Sequence, residues 1–194
     1  MRKLARLDLY SLEQYADARA EFRAQVIAHK KNRLVVLGPH ASLQFEDRLT
    51  MQYQVQEMLR IERIFEKRGI DEELSAYNPL IPDGSNWKAT FMIEYENVDE
   101  RRVALAALKG IEKVVWVQVD AFERVYAIAN EDLERENEEK TSAVHFLRFE
   151  LTARMISAAK AGANIAIGVD HPKYREELAV LPLTTRDSLV SDLD

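Results

Sequence analysis

Apolar and polar positions change their period along the chain, and each change marks an element. Ser11 and Gln14 stand three apart as a capping box, with Tyr10 and Tyr15 placed to staple it, so a helix is expected from Leu12. Tyr15, Ala18, Phe22 and Val26 then recur at helical spacing opposite Glu13, Asp17 and Arg23, which gives that helix one buried stripe. "RLVVLGPHASLQFED" predicts two strands, Arg33 to Leu37 and Ala41 to Glu46, folded about Gly38-Pro39-His40. "TMQYQVQEMLRIERIF", Thr50 to Phe65, reads as an amphipathic helix ending near Gly69. Further helical turns in "DEELSAYN" and the breaker-rich loop "NPLIPDGSN" follow it.

Beyond that loop, strands alternate with helices. "ATFMIEYE" is a strand with Phe91, Ile93 and Tyr95 on one face, and Asp99 to Lys109 is a helix closed by Gly110. "VVWVQV" and "RVYAIA" pair as a hairpin across Asp120 to Glu123, and "DLERENEEK" is a charge run of the kind found on solvated surfaces. "SAVHFLRFEL" is the clearest strand. "TARMISAAKAG" is a helix capped by Gly162, and "NIAIGVDHP" is a strand. "KYREELAVL" is expected as a short helix with Pro172 near its first position, and "TTRDSLVSDLD" as another. The sum is an α+β fold, a largely antiparallel or mixed sheet of about six to seven strands with packed helices, in one domain over residues 1–194. No G-x-G-x-x-G or Walker loop is present, which disfavours a doubly wound nucleotide fold.

Projected at about 100° per residue, the Thr50–Phe65 helix turns Gln56, Arg60, Arg63 and Lys67 to water. Met51, Met58, Ile61 and Phe65 take the buried side, and Gln54 and Glu62 fall among them. A buried Glu62 needs a cation, a donor or a metal, and Glu57 at the boundary can join the same cluster. The structural alternative is an ion pair between Glu62 and an arginine such as Arg148 that fixes helix register. On "SAVHFLRFEL", His145, Leu147, Phe149 and Leu151 share one face, and Val144, Phe146, Arg148 and Glu150 the other. Arg148 requires an anion, supplied by a protein carboxylate or by a ligand. Asp170 and His171 close a strand before the expected helix, where ligands meet polar side chains and where capping is the plainer role. His29 and His40 have no partner fixed by spacing. Glu57, Glu62, His145 and His171 form the only loose metal-ligand set, from separate elements and without any H-E-x-x-H or Glu-x-x-His pattern.

Charge and composition narrow the classes. With 33 acidic and 27 basic residues the net charge is −6, which argues against nucleic acid as partner. The chain has no cysteine, which excludes disulfides, thiolate zinc sites and iron–sulfur clusters on its own thiolates. The N-terminus lacks a signal-peptide pattern and no apolar run nears the roughly 18 residues of a membrane span, so a cytoplasmic protein with no membrane partner is expected.

"YQVQEMLRIERIF", the opening "LARLDLYSLEQYADARAEFRAQVIAHKKNR", "SAVHFLRFEL" and "VDHPKYREELAVLP" together resemble an uncharacterised bacterial family, domain of unknown function 3501. The resemblance covers nearly the whole chain. It implies a cytosolic protein encoded beside a rubrerythrin-like protein and an iron–sulfur oxidoreductase subunit, and hence a non-enzymatic accessory role with such a redox partner. Two readings of the residues stand beside it: a carboxylate/histidine metal protein or hydrolase, and a small-anion binding domain using Arg148 and the Asp170-His171 loop. A homodimer is the oligomer to expect.

Overall fold

The computed structural model describes residues 2–131, 135 and 140–194. The charge run "DLERENEEK", apart from Arg135 and Lys140, lies outside them. Ser11 caps α1 (Leu12–Lys31) as expected, its hydroxyl accepting from the Gln14 amide while the Gln14 side chain accepts from the Ser11 amide. The first hairpin, β1 (Leu34–Leu37) and β2 (Ala41–Glu46), turns at Gly38 with φ +69°. A Cβ there would lie 2.6 Å from Glu176, so glycine is required by conformation and by space.

Asp47 caps α2 (Arg48–Ile61), and α3 is Lys67–Tyr77. The long helix predicted to reach Gly69 is therefore two helices. Glu62 is the C-cap of α2, and Arg63 takes φ +55° to turn the chain. After α3 come β3 (Asn86–Ile93), α4 (Val98–Ala107), β4 (Val115–Val119), β5 (Val125–Tyr126), β6 (Ile128–Ala129) and β7 (Val144–Glu150). The chain continues with α5 (Ala153–Lys160), β8 (Ile165–His171), β9 (Tyr174–Leu178) and α6 (Leu183–Val190).

The fold is α+β, but the expected single sheet is two, with nine strands among the described residues. One sheet runs β1-β2-β3-β7-β6 and the other β5-β4-β8-β9, and all the pairings are antiparallel. The predicted hairpin across Asp120 to Glu123 forms between β4 and β5. Two residues later the same segment leaves its sheet to pair, as β6, with β7 in the other. Residues 125–129 are thus shared between the sheets. "KYREELAVL" is an edge strand rather than a helix. Pro172 and Lys173 make the turn, and Tyr174, Glu176 and Leu178 pack inward while Arg175 and Glu177 face out. Pairing with β8 overrides the helical propensity of its glutamates and leucine.

The main core lies between the sheets, where Phe45, Trp87, Phe91 and Phe149 meet Val117, Ile165 and Ile167. Each such side chain contributes about 2–3 kcal/mol by burial. The Trp87 indole loses no hydrogen bond, because Nε1 donates to the Leu189 carbonyl at 2.8 Å. A smaller cluster of Leu4, Met51, Val55, Leu59, Leu74 and Ile81 joins α2 to α3, and Tyr15, Phe22 and Val26 bind α1 to this layer. No helix among the described residues is long and apolar enough to cross a membrane.

The face assigned to α2 from periodicity is turned. Met51, Val55, Gln56 and Leu59 are buried, whereas Gln54, Ile61, Glu62 and Phe65 are exposed. Gln56 is buried because the backbone of Tyr10 consumes its amide: Oε1 accepts from the Tyr10 N–H at 2.6 Å and Nε2 donates to its carbonyl at 3.4 Å.

Candidate functional site

The first strand layer has a polar face as well as an apolar one. Strand alternation sends Leu43, Phe45, Ala89, Phe91, Leu147 and Phe149 to the core, and their neighbours to the other side. On that side the register aligns Glu46 with Lys88 and Arg148, Gln44 with Thr90 and Phe146, and Ser42 with Met92 and Val144. Met51 and Gln54 of α2, Tyr77 of α3, Leu80 after it and Lys30 of α1 close over the middle of this face. Between them and Gln44, Glu46, Thr90, Met92, Val144 and Phe146 is a cavity of about 310 Å³. A second cavity of about 210 Å³, reaching Lys88, Glu131 and Arg148, adjoins the first at Leu80 and Phe146, and the pair is called the groove.

Glu46 sits in the wall of the larger cavity with only 5% of its surface exposed. The Thr90 hydroxyl donates to Oε1 at 2.7 Å, while Oε2 is buried without a hydrogen-bond partner. An acceptor left in this state costs about 1–3 kcal/mol, and more when charged. The ionic groups beside it carry no such debt. Lys88 Nζ donates to the Pro79 carbonyl at 2.7 Å and to Asp83 at 2.9 Å. Burial lowers the Lys88 pKa, with Asp83 opposing. Arg148 donates twice to Glu131, at 2.8 Å each, and to Glu150 at 2.5 Å. The bonds to Glu131 and Glu150 raise the Arg148 pKa, and Arg148 in turn holds Glu131 below the usual carboxylate range.

The candidates read from the sequence are dispersed. Gln54 lines the cavity and Arg148 its extension. The anion that Arg148 required is supplied by protein carboxylates and not by Glu62. Glu57 is engaged by the Tyr15 hydroxyl at 2.7 Å and by two Arg19 nitrogens at 2.8 Å, and the Arg19 bonds lower its pKa. Asp170 and His171 belong to the other sheet. Asp170 accepts from Arg124 at 2.7 Å and from the Tyr126 hydroxyl, and His171 lies between the Lys109 carbonyl and the Lys173 amide. His145 is buried among Asn130, Thr141 and the Ser142 carbonyl. Glu57, Glu62, His145 and His171 therefore do not converge, because each is fixed by its own element. Among the described residues no group of three or more His, Asp or Glu side chains is placed to hold a metal ion.

Glu46, Gln44, Thr90 and Lys88 escaped the sequence reading. The available signal was "ASLQFE", whose second face is entirely polar. It would ordinarily face water, and here all six residues of that strand are buried. A wider and more open cleft of about 740 Å³ lies around His40, Tyr95, Glu96, Glu100 and Arg101, with the His40 and Tyr95 rings stacked at 3.8 Å. Its acidic side chains are exposed, and Glu94 is already bonded to Ser42.

The sequence profile of a family described as protein of unknown function (DUF3501) matches residues 3–193. A crystal structure of a novel protein of unknown function from Burkholderia pseudomallei K96243 is similar over 100% of both chains, with 55% identity and a TM-score of 0.94. No curated protein matches the chain significantly.

Proposed function

The chain belongs to the DUF3501 family of unknown function, and on that premise we propose that it is a non-catalytic, single-domain binding protein whose ligand enters the groove on the polar face of the five-stranded sheet. The observation that carries this reading is the buried, half-satisfied Glu46 carboxylate in a cavity with both apolar and hydrogen-bonding walls. Binding sites combine these features, an apolar enclosure with a few polar groups that fix orientation. The metal or hydrolase reading finds less support, since Glu57, His145 and His171 already have internal partners. The small-anion reading loses its two parts to different sheets, with Arg148 in one and Asp170 and His171 in the other.

In the cell this binding function is accessory to a redox system of the rubrerythrin-like and iron–sulfur oxidoreductase kind. That role suits a chain without a cysteine of its own. Native mass spectrometry of the protein purified without added ligand tests the binding reading. A retained organic mass that disappears in Glu46→Gln supports it. An apo mass, with no groove amide shifting when a cytosolic small-molecule extract is added, refutes it. Co-purification at micromolar concentration with the iron–sulfur subunit tests the accessory role, and no association there removes that role alone.

A further inference from the structure

Resting on that reading, we infer that the ligand group seated against Glu46 is an organic cation, an ammonium or guanidinium carried on an apolar stem. The unpartnered Oε2 is an acceptor that needs a donor, and a cationic N–H supplies the donor and the compensating charge together. One water, occupying about 30 Å³, would satisfy the oxygen but leave most of a 310 Å³ space unfilled. Met51, Leu80, Met92, Val144 and Phe146 line that space and suit hydrocarbon. A divalent metal is disfavoured, because among the described residues Glu46 is the only carboxylate lining this cavity and hard cations require several oxygen donors. An inorganic anion is disfavoured by the same carboxylate. Lys30 borders the cavity yet leaves Oε2 without a bond, so the buried acceptor keeps its need for a donor.

The cation can be a free amine or the side chain of a partner's lysine, and both present the same chemistry. The test titrates the full-length protein, followed by amide chemical shifts, with hexylammonium, hexan-1-ol, hexanoate and Nα-acetyl-lysine methylamide. Hexylammonium should shift groove amides and bind at least tenfold more tightly than the alcohol, and Glu46→Gln should remove that tenfold preference. Glu46→Gln keeps the oxygen to which Thr90 donates, so its fold should persist. Val144→Arg alters an exposed position and places a competing guanidinium at the cavity, and it should abolish binding. Tighter binding of capped lysine than of hexylammonium would mark a protein-borne cation, and the reverse a free amine; either supports the inference. Equal binding of the alcohol and the amine, or binding of hexanoate alone, would overturn the cation assignment while the groove remained a binding site. Unaltered hexylammonium binding by Val144→Arg would also overturn it. No groove shift with any probe would remove the binding function as well.

Discussion

Replacing Arg33 by methionine asks how much one buried guanidinium contributes to this fold. Arg33 is 0% exposed. It donates to the Phe45 and Glu46 carbonyls, to the Ser188 carbonyl and hydroxyl, and to Asp192 at 2.5 Å. It thereby ties the end of α1 to the β2–α2 junction and to α6. Methionine approximates the volume of the stem but donates nothing, so Asp192 becomes a buried acid without its cation and three carbonyls lose a donor. Removing one member of a buried pair costs about 3–5 kcal/mol. At roughly 2–4 °C per kcal/mol for a chain of this size, the melting temperature should fall by about 10 °C. Urea unfolding of Arg33→Met, Asp192→Leu and the double variant measures the coupling. The double variant should recover at least half of the loss, because the stranded acid is gone. A loss below about 1 kcal/mol in Arg33→Met, or strict additivity in the cycle, would refute the reasoning.

Asp192 also predicts a pH dependence. Burial pushes its pKa from 3.8 up to about 6 despite the adjacent Arg33. The folded state therefore holds this proton more tightly than the unfolded chain does, and the resulting stability is complete below pH 3.8 and lost as pH rises through about 6. The stability difference between the wild type and Asp192→Asn should shift by roughly 2 kcal/mol against the wild type between about pH 4 and pH 7, and a constant difference would contradict the assignment. Gly168→Ala should cost about 1–3 kcal/mol in urea unfolding, since its Cβ would lie 2.4 Å from the Trp116 ring and 2.9 Å from the Glu176 carbonyl. Unchanged stability would mean that the indole shifts freely.

Elements governed by local rules could be read directly from the chain. The Ser11–Gln14 capping box, the first hairpin and the alternation of β7 stand where the pattern put them. Errors arose where a side chain or a neighbour overruled the period. Gln56 is polar yet buried, because Tyr10's backbone satisfies it. Ile61 is apolar yet exposed, because the buried stripe of α2 runs through Met51, Val55 and Leu59, and Phe65 is exposed beyond the end of that helix. β9 carries the composition of a helix and the partner of a strand. The candidate site was only partly legible for a related reason. Gln54 and Arg148 were singled out, but Glu46 emerges only when Lys30, Met51 and Tyr77, distant in sequence, cover one strand face.

The five residues shared between the sheets have a consequence for how the molecule opens. Val125 and Tyr126 complete one sheet edge, and Ile128 and Ala129 complete the other. The Ala127 amide is also held by the Val115 carbonyl at 2.8 Å. Detaching either edge therefore drags on the other, and the two ladders should behave as one cooperative unit. Backbone amides of β4 and β7 should accordingly exchange with solvent deuterium at a common opening free energy, so that loosening the groove wall at β7 is felt on the far sheet.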